Sequence, residues 1–313
     1  RGVDLKIEDD GRVFPCSDSS QSIIDCLVDT ATDLGVVIQL NHSVQSIQNN
    51  EPGFVLGFSN HPSQVVDQLI ICSGNSRVLY SLIATLGHRI IPPIPSLFSF
   101  TINDSSLRAL SGVSVTKATV CLKEKPKQYQ TGPLLITHWG VSGPAIIRLS
   151  SFQARLLAEQ SYQTDLMVDW LPSLTIHHIK EKLIAFRKKN LNQFLDKQIV
   201  FTDLPKRLWH FLIIRSGLMI NQPWQHCSTD DIEKLCQCIK SSCFSICGKG
   251  VFKDEFVTCG GVCVDEVNFK TMESKLVKEL FFAGEVLDID GVTGGFNFQN
   301  AWTTGEIAGS SAL

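Results

Sequence analysis

Residues 280–309 of this 313-residue chain read LFFAGEVLDIDGVTGGFNFQNAWTTGEIAG. Leu280 to Ala283 form an apolar run that suits a parallel strand buried on both faces, and Gly284 and Glu285 fall at its carboxyl end. Ligands of open α/β sheets bind in the crevice outside such strand ends. A carboxylate there accepts hydrogen bonds from sugar or polyol hydroxyls, and the bare backbone of Gly294 and Gly295 lets N–H groups approach a ligand that a Cβ would hold away. The stretch from Phe296 predicts a helix whose unsatisfied N–H groups and positive dipole end face the same crevice and stabilise negative charge. Taken alone, the string also suits an ordinary glycine-rich turn between a strand and a helix.

Upstream, the order of elements agrees with an α/β unit. Ser17 or Asp18 is placed to cap a helix with Ile23, Ile24, Leu27, Val28 and Leu34 at helical spacing, and Gly35 ends it. Residues 36–40, VVIQL, predict a strand, and 42–48 and 53–59 alternate as an antiparallel pair. Residues 64–74, QVVDQLIICSG, predict one continuous buried strand that runs into Ser73 and Gly74. Pro92, Pro93 and Pro95 mark a passage between lobes. From 96 to 149 short β-like runs separated by turns predict a small barrel or sandwich. From 174 to 246 the pattern turns helical and lysine-rich, and KDEFVTCGGVCVDEV, 253–267, returns to β.

The totals bound the function. With 43% hydrophobic and 19% charged residues the chain has ample material for a folded core spread over two or three lobes. A formal net charge of -3 gives no overall pull toward nucleic acid or anionic membrane. No apolar run reaches the roughly 18 residues of a membrane helix. Eleven scattered cysteines without a C-x-x-C pair do not form a zinc pattern and suggest reduced, mostly buried thiols of an intracellular protein. No G-x-S-x-G elbow, Walker-type loop or H-E-x-x-H is present, so hydrolase chemistry has no footing.

Residues 137–151, THWGVSGPAIIRLSS, are a further candidate: Ser142 or Gly143 can cap a helix with Pro144 at its first position, and that helix start can hold phosphate or carboxylate. His138 beside it is either a proton donor or a packed histidine. His177 and His178 fall at a predicted helix start, one ring packed and one solvated, and His88 and Arg89 suit a helix C-terminus. The RKKN string at 187–190 reads as a solvated helix end.

GRVFPCSD, LGHRIIPPIPSLFSF, THWGVSGPAIIRLS, KDEFVTCGGV, TMESKL and the long string at 280–309 occur in this order over nearly the whole chain. In them the sequence resembles the NAD(P)/FAD-dependent oxidoreductases of the YhiN/BaiN type, the aminoacetone-oxidase-like flavoproteins. The resemblance implies an α/β fold with a glutathione-reductase-like FAD-binding domain at 1–90 and 269–313. It also implies an inserted β-barrel lobe at 91–172 that returns at 248–268, with a nested helical lobe at 173–247. The implied cofactor is FAD and the implied reductant NAD(P)H, with hydride passing to an unsaturated or carbonyl small molecule.

By position, Gly284 and Glu285 match the ribityl and pyrophosphate part of FAD, and Gly294, Gly295, Phe296 and Asn297 match the isoalloxazine contacts. Ser73 and Gly74 match the strand-end turn beside the dinucleotide, Val44 matches the adenine contact, and His138 and Ser142 become substrate-side candidates. The family's opening strand and G-x-G-x-x-G turn have no counterpart in this sequence, and RVLYSLIATLGH follows ICSGNS at once, in place of a longer glycine- and serine-rich loop. The expectation is an N-terminally incomplete FAD domain that binds FAD poorly or not at all, with a non-catalytic binding or regulatory module as the alternative. No metal, nucleic-acid partner or membrane partner is expected.

Overall fold

The computed structural model describes residues 2–9, 11–50, 52–250 and 257–312. The chain begins with β1 (Leu5–Ile7), β2 (Val13–Pro15), α1 (Gln21–Asp33), β3 (Val44–Asn49), β4 (Phe54–Phe58), β5 (Gln64–Val66), β6 (Leu69–Ile71), α2 (Arg77–Thr85) and β7 (Ile90–Ser96). Next come β8 (Phe100–Ile102), α3 (Ser105–Arg108), β9 (Ser114–Leu122), β10 (Gln130–Ile136), β11 (Gly140–Ser142), α4 (Pro144–Phe152), α5 (Ala154–Glu159) and β12 (Thr164–Asp169). The remainder is α6 (Ile176–Lys189), α7 (Lys206–Arg215), α8 (Thr229–Lys240), β13 (Ser242–Lys249), β14 (Val257–Val262), β15 (Val267–Asn268), β16 (Glu273–Ser274), β17 (Leu280–Phe282) and α9 (Phe296–Ser311). Two compact units result: unit 1 is Arg1–Pro93, Gly260–Ile289 and Gly294–Leu313, and unit 2 is Ile94–Cys259 and Asp290–Thr293.

Unit 1 is organised by a sheet in the order β15-β16-β17-β6, in which β17 and β6 run parallel with Leu280, Phe281 and Phe282 opposite Leu69, Ile70 and Ile71. All three β17 residues are buried, as a parallel strand covered on both faces requires. The expected single strand at 64–74 is broken at Asp67 and Gln68. Its first half, β5, is instead the edge of the antiparallel sheet β3-β4-β5, which leaves Val65 exposed.

Two expectations for the first forty residues are corrected. Ser20, not Ser17 or Asp18, stands at the start of α1: Ser17 Oγ is engaged with Ser22 Oγ at 2.6 Å and Asp18 lies 2.7 Å from Lys6 Nζ. Residues 36–40 form no strand, because no described residue pairs with them and Val36 N–H is taken by Ala31 C=O. The apolar side of α1 is correspondingly uncovered at Ile24, Leu27 and Val28.

Unit 2 holds a closed six-stranded barrel in the order β10-β11-β8-β13-β12-β9. Closure removes the unpaired edges that a small open sheet exposes. Alternate residues fill the interior, among them Phe100, Ile102, Val120, Leu122, Leu134, Ile136, Leu166 and Val168. The strand that closes it, β13, starts at Ser242, so the chain is back in the barrel before residue 248, with Phe244 and Ile246 turned inward. Residues 260–268, expected in the barrel, lie in unit 1: β14 pairs with β7, and a Cβ on Gly260 would stand 2.6 Å from Pro92 C=O. Residues 253–256 of the expected returning strand lie outside the described residues.

The helices α6, α7 and α8 share the barrel's apolar core through Ile179, Leu183, Leu208, Trp209, Leu212, Ile232, Leu235 and Ile239. Lys240 at the end of α8 donates to Asp169 Oδ2 at 2.5 Å and to the carbonyls of Leu171 and Leu174 at 3.2 and 2.8 Å. Burial pushes the Asp169 carboxyl up, against the pull of Lys240. Both His177 and His178 are exposed, so neither is the packed ring expected; His177 faces Glu181 at 3.2 Å. His88, expected to suit the dipole at a helix C-terminus, is 3% exposed and bonded to Glu266 and Ser274. Of the eleven cysteines, Cys227, Cys236, Cys259 and Cys263 are buried, and all are free thiols.

Candidate functional site

The parallel pairing of β6 and β17 brings their carboxyl ends side by side. Cys72, Ser73 and Gly74 leave one strand, and Ala283, Gly284 and Glu285 leave the other, with Ala283 N–H bonded to Ile71 C=O at 3.1 Å. Gly284 takes φ +77°, which a side chain would strain, and a Cβ there would touch Ala301 of α9 at 3.6 Å. Its N–H donates to Thr304 Oγ1 at 2.8 Å, and that hydroxyl donates to Asn300 C=O at 2.6 Å. Tyr80, buried on α2, donates its hydroxyl to Glu285 C=O at 3.4 Å. Burial, with the Glu285 and Asp288 carboxylates nearby, pushes the Tyr80 phenol up to about 12, so it stays a donor at every physiological pH.

Two helix anchors thus fix the backbone of Gly284 and Glu285, while Glu285 Oε2 comes to 4.0 Å from the place where a Cβ on Gly74 would stand. Ser73 Oγ, beside it, is buried without a hydrogen-bond partner among the described residues. α9 begins at Gly295, in left-handed conformation, and no side chain caps it. Phe296 and Phe298 are exposed at its first turn. Val44 opens β3 in the neighbouring sheet and packs, half-buried, against the unit 1 core.

His138 and Ser142 belong to unit 2. Residues 138 and 139 form the tip of the hairpin joining β10 and β11, closed by Thr137 N–H to Gly140 C=O at 2.8 Å. His138 is exposed there, its ring edge-on to Trp139 at 4.4 Å, and Trp139 Nε1 donates to Ser99 Oγ at 3.3 Å. Ser142 is half-buried at the end of β11, where Gly143 leads into α4 with Pro144 at its first position.

The sequence patterns held no sign of Thr304 or Tyr80. Each acts through one hydrogen bond to a residue 20 or 205 positions away, and a lone threonine or tyrosine on a helix carries no local signal. Among the described residues no group of three or more His, Cys, Asp or Glu is placed to hold a metal ion, and no helix is long and apolar enough to cross a membrane.

Parallel strands that end on bare glycine beside an uncapped helix start define a Rossmann-type nucleotide-binding protein. The chain belongs to the HI0933-like family of FAD-binding flavoproteins: the family's description, HI0933-like protein Rossmann domain, matches residues 1–311. It is 31% identical over 319 residues to a ribosomal RNA dihydrouridine synthase of Haemophilus influenzae, covering 97% of this chain and 75% of that protein. A ribosomal RNA dihydrouridine synthase of Escherichia coli is 30% identical over 307 residues, 94% of this chain and 72% of its own length. A 3-dehydro-bile acid delta(4,6)-reductase of Clostridium scindens is 27% identical over 317 residues, 96% and 75% respectively.

Proposed function

We propose that this chain is an FAD-dependent oxidoreductase that saturates a carbon–carbon double bond next to a carbonyl, with NAD(P)H as reductant. The observation that carries the proposal is the paired strand end of unit 1, where Ser73 Oγ lacks a partner and Gly74 leaves open the space in front of Glu285. A buried hydroxyl without a partner is costly unless a ligand completes it. The residues suit the cofactor. Glu285, Ser73 and Gly284 would hold its polyol and phosphate chain, Val44 its adenine end, and Gly294, Gly295, Phe296 and Asn297 its ring. FAD bound there would supply the two-electron chemistry that side chains lack.

The remaining work falls to the chain itself. Thr304 and Tyr80 hold Gly284 and Glu285 in place, and the α9 start stabilises negative charge. The relatives' names support the reaction class: dihydrouridine is uridine saturated at a ring double bond next to a carbonyl, and a delta(4,6)-reductase of a 3-dehydro bile acid saturates bonds conjugated to a ketone.

A uracil carried by RNA is favoured as the substrate by one further observation. The net charge of -3 argued against a nucleic-acid partner, yet it averages two opposed units. Unit 2 has 20 basic against 14 acidic residues, a net of +6, and unit 1 has 8 against 17, a net of -9. The test is a titration of the purified protein with FAD, followed by anaerobic addition of NADH or NADPH and mass analysis of ribosomal RNA transcripts and a 3-oxo-4-ene steroid for added hydrogen. Flavin absorbance that stays with the protein after free FAD is removed and bleaches with either nucleotide is the expected result; a protein that retains no flavin after that removal defeats the proposal.

A further inference from the structure

Unit 2 carries its positive excess on helices. Residues 173–247 hold 11 basic and 6 acidic residues, a net of +5. Most of the carboxylates are already engaged: Glu233 with Lys180 at 2.6 Å, Glu181 with His177 at 3.2 Å, Asp196 with Lys197 at 3.8 Å, and Asp231 in the capping box of α8. Lys182, Lys188 and Lys189 of α6 are exposed and have no ion pair among the described residues.

On α6 Ile179 and Leu183 face the core, and Lys180 is tied to α8 through Glu233. At 100° per residue, Lys182 and Lys189 fall seven residues apart on one stripe, with His178 four residues before Lys182, and Lys188 lies on the outermost side. The two stripe lysines stand about 10 Å apart along the axis, close enough to meet one nucleic-acid backbone, whose charges recur every ~3.4 Å along each strand.

We infer that unit 2 docks structured RNA through the phosphates, with Lys182, Lys188 and Lys189 as the contact face of α6. The inference deepens the RNA form of the proposed function and rests on it for the kind of polyanion; the charge segregation itself is independent of any chemistry at the flavin site. Unit 1, at -9, repels the same backbone, so the two units divide the labour of holding RNA and holding a cofactor.

The experiment compares the full chain with a Lys182→Gln, Lys188→Gln, Lys189→Gln variant in filter binding to an unmodified ribosomal RNA transcript between 50 and 200 mM salt. A Lys125→Gln, Lys127→Gln variant, on an exposed turn of the same unit, is the control, and circular dichroism checks that each folds. Three lost phosphate contacts flatten the slope of log affinity against log salt by about 2.1 to 2.7, so the fourfold salt range weakens the variant roughly 20- to 40-fold less than wild type. The inference is overturned by an unchanged slope in the α6 variant, by an equal loss in the control, or by lysine-dependent binding to phosphatidylserine vesicles that matches that to RNA. Flavin absorbance on the same samples separates the two claims: colourless protein that retains RNA fails only the enzyme, and yellow protein that ignores RNA fails only the docking face.

Discussion

Ser274→Ala is expected to cost the protein about 3 kcal/mol, although the hydroxyl touches no ligand. Ser274 Oγ accepts N–H groups from Leu276 at 3.0 Å and Val277 at 2.8 Å, which occupies its lone pairs. Its own hydrogen therefore goes to His88 Nε2 at 2.9 Å, and the ring's remaining hydrogen, on Nδ1, goes to Glu266 Oε2 at 3.0 Å. Glu266 also accepts the Arg89 backbone N–H at 2.9 Å, and the ring lies edge-on to Phe282 of β17 at 4.9 Å. Alanine strands the buried Val277 N–H and the His88 nitrogen, at roughly 1–3 kcal/mol each, while the Leu276 amide reaches water. For a unit of this size that corresponds to a midpoint lower by roughly 10 °C in scanning calorimetry. A shift within about 1 °C would refute the network.

The same geometry sets a pH dependence. Burial holds the His88 imidazole below its ordinary range, opposed by Glu266. The unfolded chain, with an ordinary histidine near ~6.5, takes the proton first as pH falls. Stability is therefore full above that value and is lost below it, by up to about 1.4 kcal/mol per pH unit. His88→Gln keeps an acceptor for Ser274 and a donor for Glu266 but does not titrate. Urea midpoints of that variant should lose this component of the slope between neutral and mildly acidic pH, and an unchanged slope would sink the assignment.

Two further substitutions probe the anchors. Thr304→Val leaves the buried Gly284 N–H without an acceptor, which should cost about 1–2 kcal/mol in thermal unfolding and raise the FAD concentration needed for half-saturation. Lys240→Met leaves the half-buried Asp169 without its cationic partner and should destabilise unit 2 by roughly 2 kcal/mol in urea; adding Asp169→Asn should restore part of that loss, and a purely additive double variant would show that the pair is not coupled.

What could be read in the sequence was local and periodic. α6, α7 and α8 bury the residues that recur every three or four positions, because a helix on a core needs only its own stripe to be defined. The apolar run of β17 announced a doubly covered parallel strand for the same reason. The run at 36–40 is apolar but for Gln39, yet it is no strand, since hydrogen bonds come from a neighbour and not from the run itself. QVVDQLIICSG likewise could not disclose that its halves pair in different sheets, as β5 with β4 and β6 with β17.

Long-range polar bonds were beyond reach for a different reason. His88 meets Glu266 and Ser274 across 178 and 186 residues, and the GHR string, read locally, has a complete explanation as a helix end. A buried polar network satisfies itself through geometry that no periodicity encodes. Net charge hides information in a complementary way: a sum over the chain is blind to segregation, and -3 conceals units of +6 and -9. Fields act over about a Debye length of ~8–10 Å, not over a whole chain. The quantity that decides whether a polyanion binds is therefore the charge of the surface it would meet, and in unit 2 the exposed lysines of α6 make such a surface.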